Sequence, residues 1–201
     1  MSPDTGVPPI ITMNGILKLS NVIPDRLCNS LIEYHKANID KAKKLNYDSK
    51  IEGAFNQNNV ICNELILEKD SYFETKVNEC MAVVLEKYTR FYPYFYCDNV
   101  LEYQLREITG PTLEHIDHPI DSEYDVRNVS VIFGLNSDYE EGEFYFRQQD
   151  YKTTVKRGEA LVFPVYFFYP HEVSAPIGSR YTINTWCVET TSVHLSTSRD
   201  A

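Results

Sequence analysis

The sequence predicts a mainly β domain, a jelly roll whose strands follow an N-terminal layer of supporting α-helices. Apolar residues recur at helical spacing in the first half of the chain. From about Val100 onward, short runs rich in β-branched and aromatic residues take their place. Tight turns separate these runs, which is typical of a sandwich or barrel and not of a doubly wound sheet.

The 201 residues suit a single domain. We expect an N-terminal arm and supporting helices over residues 1–98, the β core over 99–189 and a flexible tail over 190–201. The first dozen residues contain three prolines, and we expect them to be irregular.

Two helices are predicted before the β core. The first runs from Pro24 to about Lys44, because proline suits a first helical position and lysines suit a helix end. The second runs from about Asp70 to Arg90, where apolar residues form one stripe.

Six strands are predicted after the helices, separated by turn residues such as Gly142 and Gly158. One face of the second strand is apolar, and the other carries small or partly polar residues, which predicts a cavity wall. Those residues are Ser130, Ile132, Gly134 and Asn136. The predicted strands are Leu101–Ile108, Val129–Asn136, Glu143–Arg147, Thr153–Lys156, Ala160–Phe163 and Arg180–Val188.

Charge and composition exclude several classes of partner. The net charge of −10 disfavours tight binding to a nucleic-acid backbone. No apolar run approaches the length of a membrane helix, so we expect no membrane partner. Five cysteines without a CxxC pair, and an N-terminus without the features of a secretory signal, favour reduced thiols and a cytoplasmic location. The sequence does not indicate an oligomeric state.

A candidate metal site begins with His115 and Asp117. Residues two apart on an extended chain point to the same side, so both side chains can reach one ion. His171 could supply a third ligand. Two histidines and one carboxylate form the facial triad of non-haem Fe(II) oxygenases, which leaves coordination positions open.

Arg180 is a candidate carboxylate-binding residue near this site. If the turn Ala175–Gly178 closes a hairpin in which His171 faces Thr182, then His171 and Arg180 are diagonal neighbours on one face. Its guanidinium could then hold one carboxylate of a five-carbon 2-oxo dicarboxylate whose other end chelates the metal. The same alternation puts Asn184 and Trp186 on the inner face with Arg180.

The stretch Leu101–Val188 resembles the 2-oxoglutarate- and Fe(II)-dependent oxygenases of the prolyl 4-hydroxylase type. The resemblance rests on motifs in family order and spacing. These are His115-Ile-Asp117, Arg127-Asn-Val-Ser-Val-Ile, Leu135-Asn136, Gly142-Glu-Phe, Gly158-Glu-Ala-Leu-Val-Phe-Pro164, His171-Glu-Val and Gly178-Ser-Arg180-Tyr-Thr-Ile-Asn-Thr-Trp186.

The resemblance implies a double-stranded β-helix that binds Fe(II) through His115, Asp117 and His171. It also implies that Arg180 binds 2-oxoglutarate and that Asn184 and Trp186 line the cosubstrate pocket. Dioxygen is the other cosubstrate, and the resemblance is compatible with ascorbate. The implied reaction hydroxylates a prolyl residue of a protein or peptide and converts 2-oxoglutarate to succinate and carbon dioxide.

Two further residues take their expected roles from the same resemblance. Arg127 stands where family members place a basic residue near the substrate entrance, although it could instead pair with nearby acids. The family often carries a tyrosine that helps to bind 2-oxoglutarate, but here Glu107 stands at that position. Tyr103 is our candidate replacement.

Other functions remain open at this level. The oxygenase could act on a free amino acid or another side chain, and a jelly-roll module could bind ligands without turnover. A zinc hydrolase would also use this triad, but it gives Arg180 no role. The presence of Trp186 in place of a second arginine, together with the net charge, disfavours a nucleobase. The retention of Asp117 disfavours halogenation.

Two kinds of segment are candidates for contact with a substrate. The aromatic clusters 91–96 and 166–169 could stack on a proline-rich peptide, although core packing is the commoner use of such residues. Tyr92, Tyr94, Tyr166 and Tyr169 are the candidates. The acidic loop Pro119–Val126 could form a lid over the substrate or a solvated insertion.

Overall fold

A computed structural model describes residues 10–46, 61–117 and 125–190. It contains two helices, α1 (Asp25–Ala37) and α2 (Tyr72–Phe91), and short 3-10 turns at Ile39–Lys41 and Arg147–Gln149. The first strands are β1 (Ile10–Met13), β2 (Ile16–Leu19), β3 (Lys43–Leu45), β4 (Cys62–Ile66) and β5 (Asn99–Val100). The next are β6 (Gln104–Ile108), β7 (Thr112–His115), β8 (Asp125–Gly134), β9 (Glu140–Glu141) and β10 (Phe144–Phe146). The last are β11 (Tyr151–Thr153), β12 (Ala160–Pro164), β13 (His171–Val173), β14 (Pro176–Ile177) and β15 (Arg180–Thr190).

The strands form the predicted jelly roll from a large and a small antiparallel sheet. The nine-stranded sheet has the order β1-β2-β12-β8-β15-β6-β4-β3, and β5 also pairs with β15. The four-stranded sheet has the order β11-β10-β13-β7, and β14 pairs separately with β9. The described part of the chain contains no helix that could span a membrane.

Both helices pack against the outer face of the large sheet, which confirms the predicted α layer. Leu31 of α1 and Val77 and Val84 of α2 share one buried core with sheet residues such as Leu105 and Phe133. The first turn of α2 is capped by Ser71, whose Oγ accepts a hydrogen bond from the Glu74 amide at 3.2 Å. A second, smaller core fills the space between the two sheets.

The N-terminal half holds more strand than the sequence predicts. The first helix ends at Ala37, because the Asn38 side chain donates a hydrogen bond to the Tyr34 carbonyl at 2.9 Å and caps the helix end. The lysines expected to end that helix instead lie in or beside β3, which pairs with β4 at the sheet edge. Part of the predicted irregular arm, Ile10–Met13, pairs with β2.

The predicted hairpin between His171 and Arg180 is wrong. His171 lies on β13 in the small sheet, whereas Arg180 begins β15 in the large sheet. Between them β14 pairs with β9, so the turn Ala175–Gly178 carries the chain from one sheet to the other. The two side chains still reach one cavity, but they do so from facing sheets and not as diagonal neighbours.

Gly134, at the end of β8, marks a close approach of two backbone segments. A Cβ atom there would lie 2.3 Å from the Lys156 carbonyl oxygen and 2.6 Å from that of Val155. These backbone atoms cannot swing away as a flexible side chain would. The position therefore requires glycine for space.

We expect Gly134→Ala to lower the free energy of unfolding by about 1–3 kcal/mol, because it overpacks a rigid contact. Denaturant unfolding measures the change. Glu33→Ala, on the exposed side of α1, is the control and should change stability by less than about 0.5 kcal/mol. Equal stability of Gly134→Ala and the wild type would contradict the close approach.

Candidate metal centre

His115, Asp117 and His171 meet at one point. The potential ligand atoms of these three side chains all lie within 4.8 Å of one another. His115 and His171 are directly opposite each other on β7 and β13, and Asp117 follows β7 by two residues. The small sheet therefore presents both imidazoles side by side, and the chain leaving it adds the carboxylate.

Backbone hydrogen bonds orient both imidazoles. His115 Nδ1 lies 2.8 Å from the Leu113 carbonyl oxygen, and His171 Nδ1 lies 3.1 Å from the Tyr169 carbonyl oxygen. A carbonyl can only accept, so each Nδ1 carries a proton. Nε2 of neutral His171 then keeps its lone pair, whereas Nε2 of His115 donates to Asp117 and would lose that proton on binding an ion. The Nε2 atoms lie 3.0 and 3.9 Å from Asp117 Oδ1, which suits ligation of one ion.

The large sheet holds Asp117 from the other side. Ser130 Oγ on β8 donates a hydrogen bond to Asp117 Oδ2 at 2.6 Å, and Trp186 Nε1 on β15 donates to the same oxygen at 3.2 Å. The other carboxylate oxygen, Oδ1, faces the imidazoles. Asp117 thus has one oxygen fixed to the protein and one directed to the candidate metal position.

The protonation states also suit a metal. Burial alone would raise the pKa of Asp117, but the hydrogen bond from His115 and the neighbouring imidazoles hold it well below its usual range. Burial lowers the pKa of His171 and favours its neutral, metal-binding form. Burial also disfavours protonation of His115, whose pKa is nonetheless raised by its hydrogen bond to Asp117.

The triad lines a cavity of about 640 Å³ between the two sheets. Arg180 lies in the same cavity with only 2% of its surface exposed, whereas the His115 side chain is 38% exposed. Solvent therefore reaches the triad at His115, whereas His171 and Arg180 are almost fully buried. Burial lowers the pKa of Arg180 to about 10, so the group is still charged at neutral pH.

Arg180 is a buried charge with few partners. Its Nη1 donates a long hydrogen bond of 3.4 Å to the Gly142 carbonyl, and its Nε has no hydrogen-bond partner among the described residues. Its guanidinium lies 5.1 Å from the ring centroid of Phe144. A buried guanidinium without a carboxylate is costly, so the site fits an anionic ligand.

The predicted alternation along β15 is present. Arg180, Asn184 and Trp186 line the cavity, whereas Ile183 and Cys187 point into the core beneath the helices. Asn184 Oδ1 accepts a hydrogen bond from Thr182 at 2.8 Å. Trp186 lies at the metal end of this row, through its contact with Asp117.

Arg127 also lines the cavity. Its guanidinium stacks over the Trp186 ring at 3.9 Å from the centroid, so it lies at the metal end and not beside Arg180. The role of Arg127 near a substrate entrance stays a prediction.

The prediction that Tyr103 binds the cosubstrate is wrong. Tyr103 is buried in the core on the helix side of the large sheet, and its hydroxyl donates to Asn78 Oδ1 on α2 at 2.6 Å. Glu107, at the family's tyrosine position, also points away from the cavity. Its carboxylate accepts hydrogen bonds from Ser179 and Tyr181 at 2.9 and 2.8 Å.

The sequence does not reveal the roles of two residues near the cavity. It places Ser130 in a cavity wall but does not predict the hydrogen bond of Ser130 to Asp117. Arg106 lines the cavity, because its strand alternates and Arg106 faces opposite to Glu107. The two-residue period of the strand could have revealed it. His118 and most of the predicted lid Pro119–Val126 lie outside the described residues.

The donor set fits Fe(II) and 2-oxoglutarate. Two imidazoles and one carboxylate match the facial triad, which leaves positions for a chelating ligand and dioxygen. The buried guanidinium of Arg180, in the same cavity, matches the second carboxylate of a 2-oxo dicarboxylate.

Comparison with known proteins gives the same result. Residues 100–188 match the family model of the 2OG-Fe(II) oxygenase superfamily. None of the curated proteins compared with the chain matches it.

Solved structures of low sequence identity share the fold. A viral collagen prolyl hydroxylase from Paramecium bursaria Chlorella virus-1, solved with 2OG, has a TM-score of 0.64 and 15% identity, over 87% of this chain and 96% of that one. A prolyl hydroxylase from Trichoplax adhaerens, solved with a hypoxia inducible factor peptide, has a TM-score of 0.65 and 15% identity, over 87% and 83%. A Pseudomonas putida prolyl-4-hydroxylase has a TM-score of 0.65 and 14% identity, over 86% and 91%.

Fold and site therefore define a jelly-roll oxygenase of the prolyl 4-hydroxylase structural type. The family match over residues 100–188 and the His-Asp-His triad support a 2-oxoglutarate-dependent dioxygenase that uses Fe(II).

We expect Trp186→Phe to weaken metal binding about 10-fold, because it keeps an aromatic ring but removes the hydrogen bond to Asp117. Calorimetric titration with Mn(II) measures the affinity. Tyr166→Phe is the matched control, since the hydroxyl it removes bonds to Asn128 and not to the triad. Equal metal affinity of Trp186→Phe and the wild type would show that this hydrogen bond does not position Asp117.

Glu107 gives a pH-dependent contribution to stability. Partial burial disfavours its charge, but hydrogen bonds from Tyr181, Asn63 and Ser179 outweigh this effect and lower its pKa. Its stabilisation is therefore present above the unfolded pKa of about 4.3 and is lost as the pH falls further.

We expect Glu107→Gln to lower the free energy of unfolding at pH 7 by about 1–2 kcal/mol. Urea unfolding at pH 7 and near pH 3 measures the change, and the difference from the wild type should shrink at the lower pH. The exposed Glu33→Gln is the control. A difference that grows on acidification would give the pKa shift the opposite sign.

Proposed function

We propose that this oxygenase hydroxylates a prolyl residue in a protein or peptide and converts 2-oxoglutarate to succinate. The observation that carries the proposal is that solvent reaches the triad at His115, whereas Arg180 in the same cavity is almost fully buried. A small cosubstrate can occupy the part beside Arg180 while a residue of a larger chain reaches the metal from outside. This arrangement suits a macromolecular substrate.

Each residue of the site then has a role. His115, Asp117 and His171 bind Fe(II), and Arg180 binds the distal carboxylate of 2-oxoglutarate in a bidentate manner. Ser130 and Trp186 hold Asp117. When bound, iron and 2-oxoglutarate supply the oxidative chemistry, in which dioxygen gives one atom to the substrate and one to succinate, with release of carbon dioxide.

The substrate side is formed by Arg127 and an exposed aromatic segment. Tyr166, Phe167 and Phe168 are 45%, 72% and 60% exposed, and they lie shortly before His171 in the chain. The Tyr166 hydroxyl donates to Asn128, the neighbour of Arg127, so this segment lies beside the cavity. Exposed aromatic rings suit an extended proline-containing peptide.

The other aromatic candidates differ in exposure. The Tyr92 hydroxyl accepts a hydrogen bond from the Gly15 amide, and the Tyr169 hydroxyl donates to the Asn14 carbonyl, so both stabilise the β1–β2 turn. Tyr94 is fully exposed and is not among the described residues that line the cavity. Tyr166 is therefore our first choice for peptide contact.

The structural neighbours support the same substrate class. Those described above are a collagen prolyl hydroxylase, a prolyl hydroxylase with a hypoxia inducible factor peptide and a prolyl-4-hydroxylase. A free amino acid as substrate and a module without turnover are the alternatives.

We expect anaerobic addition of Fe(II) and 2-oxoglutarate to give the weak visible charge-transfer band of the chelated cosubstrate. Arg180→Ala should abolish the band at wild-type saturating concentrations, because it removes the buried guanidinium. Tyr103→Phe is the control and should keep the band, since Tyr103 lies outside the cavity.

Admission of oxygen then tests the substrate. Succinate should rise with a proline-rich peptide, the peptide should gain the mass of one oxygen atom, and the same peptide with alanine for proline should remain unchanged. A band with turnover but no peptide product would discard the prolyl substrate and favour a small molecule. Cosubstrate binding without succinate from iron-loaded protein would favour the binding module.

A further inference from the structure

A third arginine, Arg106, lines the cavity that contains Arg180, Arg127 and the triad. It lies on β6, where it points to the inside of the large sheet while its neighbours Leu105 and Glu107 point to the helix side. Its side chain is 14% exposed, so this guanidinium is largely buried as well. None of the roles assigned above involves Arg106.

Arg106 lies between Arg180 and the metal end of the cavity. On β15 the inward residues follow the order Arg180, Thr182, Asn184 and Trp186, and Trp186 contacts the ligand Asp117. Arg106 is the direct β6 partner of Thr182. The position of Arg106 in the sheet is therefore two residues, about 7 Å, closer to the metal end than the position of Arg180.

Hydrogen bonds direct the Arg106 guanidinium further toward the metal end. Its Nη2 donates to Gln104 Oε1 at 2.5 Å, and Gln104 is paired with Asn184, one inward position closer to Trp186. Its Nε donates to Glu64 Oε2 at 2.7 Å from the neighbouring strand β4. A guanidinium has five N–H donors in a planar fork, so it can bind a carboxylate while these two bonds persist.

The charge of Arg106 also acts on Arg180. Burial is the main cause of the lowered pKa of Arg180, and the Arg106 charge adds to it. The two guanidiniums therefore interact within the same cavity.

We propose that Arg106 is a second cosubstrate-binding arginine, which binds the 1-carboxylate end of 2-oxoglutarate while Arg180 binds the distal carboxylate. The cosubstrate carries two carboxylates, and the cavity offers the buried guanidinium of Arg180 and the largely buried guanidinium of Arg106, one after the other along the path to the metal. Glu64 and Gln104 position Arg106 for this contact. The inference rests on the assignment of 2-oxoglutarate as cosubstrate.

A purely structural ion pair with Glu64 would hold Arg106 in this position without any role in ligand binding. In that case Arg106→Gln and Glu64→Gln should have equivalent effects, because each removes one partner and leaves the other charge buried without it. A binding role makes them different, since Arg106→Gln removes the donor and Glu64→Gln keeps it. This difference is the basis of the test.

We expect Arg106→Gln to weaken 2-oxoglutarate binding about 10- to 100-fold, as for the loss of charge-assisted hydrogen bonds. Glu64→Gln should retain the wild-type affinity within about threefold, because the guanidinium stays charged. Anaerobic calorimetric titration of Mn(II)-loaded protein measures the dissociation constant without turnover. Arg90→Ala, on the exposed part of α2, is the matched arginine control, and thermal unfolding checks that each variant is folded.

A monocarboxylate identifies the end that Arg106 binds. Pyruvate keeps the 1-carboxylate and the 2-oxo group of 2-oxoglutarate but lacks the distal carboxylate. Arg106→Gln should weaken pyruvate binding by a factor similar to that for 2-oxoglutarate. Arg180→Ala should weaken 2-oxoglutarate binding far more than pyruvate binding.

Three results would overturn the inference. They are an unchanged dissociation constant in Arg106→Gln, equal losses in Arg106→Gln and Glu64→Gln, and a loss in Arg106→Gln for 2-oxoglutarate that is absent for pyruvate. In each case the wild type still binds 2-oxoglutarate, so the assigned cosubstrate stands. Failure of the wild type to bind 2-oxoglutarate would instead overturn that assignment.

Discussion

The pairing of β15 on both sides is the constraint on which the site depends. β15 is hydrogen-bonded to β8 from Thr182 to Thr190 and to β6 from Arg180 to Asn184. Its register is fixed by two neighbours, and a shift by one residue would move every inward side chain to the core. The same strand supplies Arg180 at one end of the cavity and the Trp186 contact to Asp117 at the other.

Burial of cationic groups determines the chemistry of the cavity. Arg180 and Arg106 are largely removed from water, and Glu64 compensates the second of them. An isolated buried charge is costly unless a partner neutralises it. The cavity thus favours a small dicarboxylate beside these arginines, and its metal end reaches solvent at His115.

The sequence predicts the jelly roll, the helix layer and the triad because these depend on local periodicity and on motif spacing. It also predicts the inward row of β15, since alternation is a local property of a strand. The sequence does not predict the partner of β13. Pairing between strands that are 50 or more residues apart does not change the two-residue alternation within either strand. The prediction for Tyr103 is wrong for a related reason, since the face that a residue takes depends on the register of the whole strand.

The attachment of the three candidate ligands to different sheets has a mechanical consequence. His115 and His171 belong to the small sheet, whereas Asp117 is hydrogen-bonded to β8 and β15 of the large sheet. An ion held by all three joins the two sheets at the open end of the cavity, much as a disulfide would join two loops. Iron in this protein would then also act as a cross-link, in addition to the hydrogen bonds by which Asp117 already connects His115 to Ser130 and Trp186.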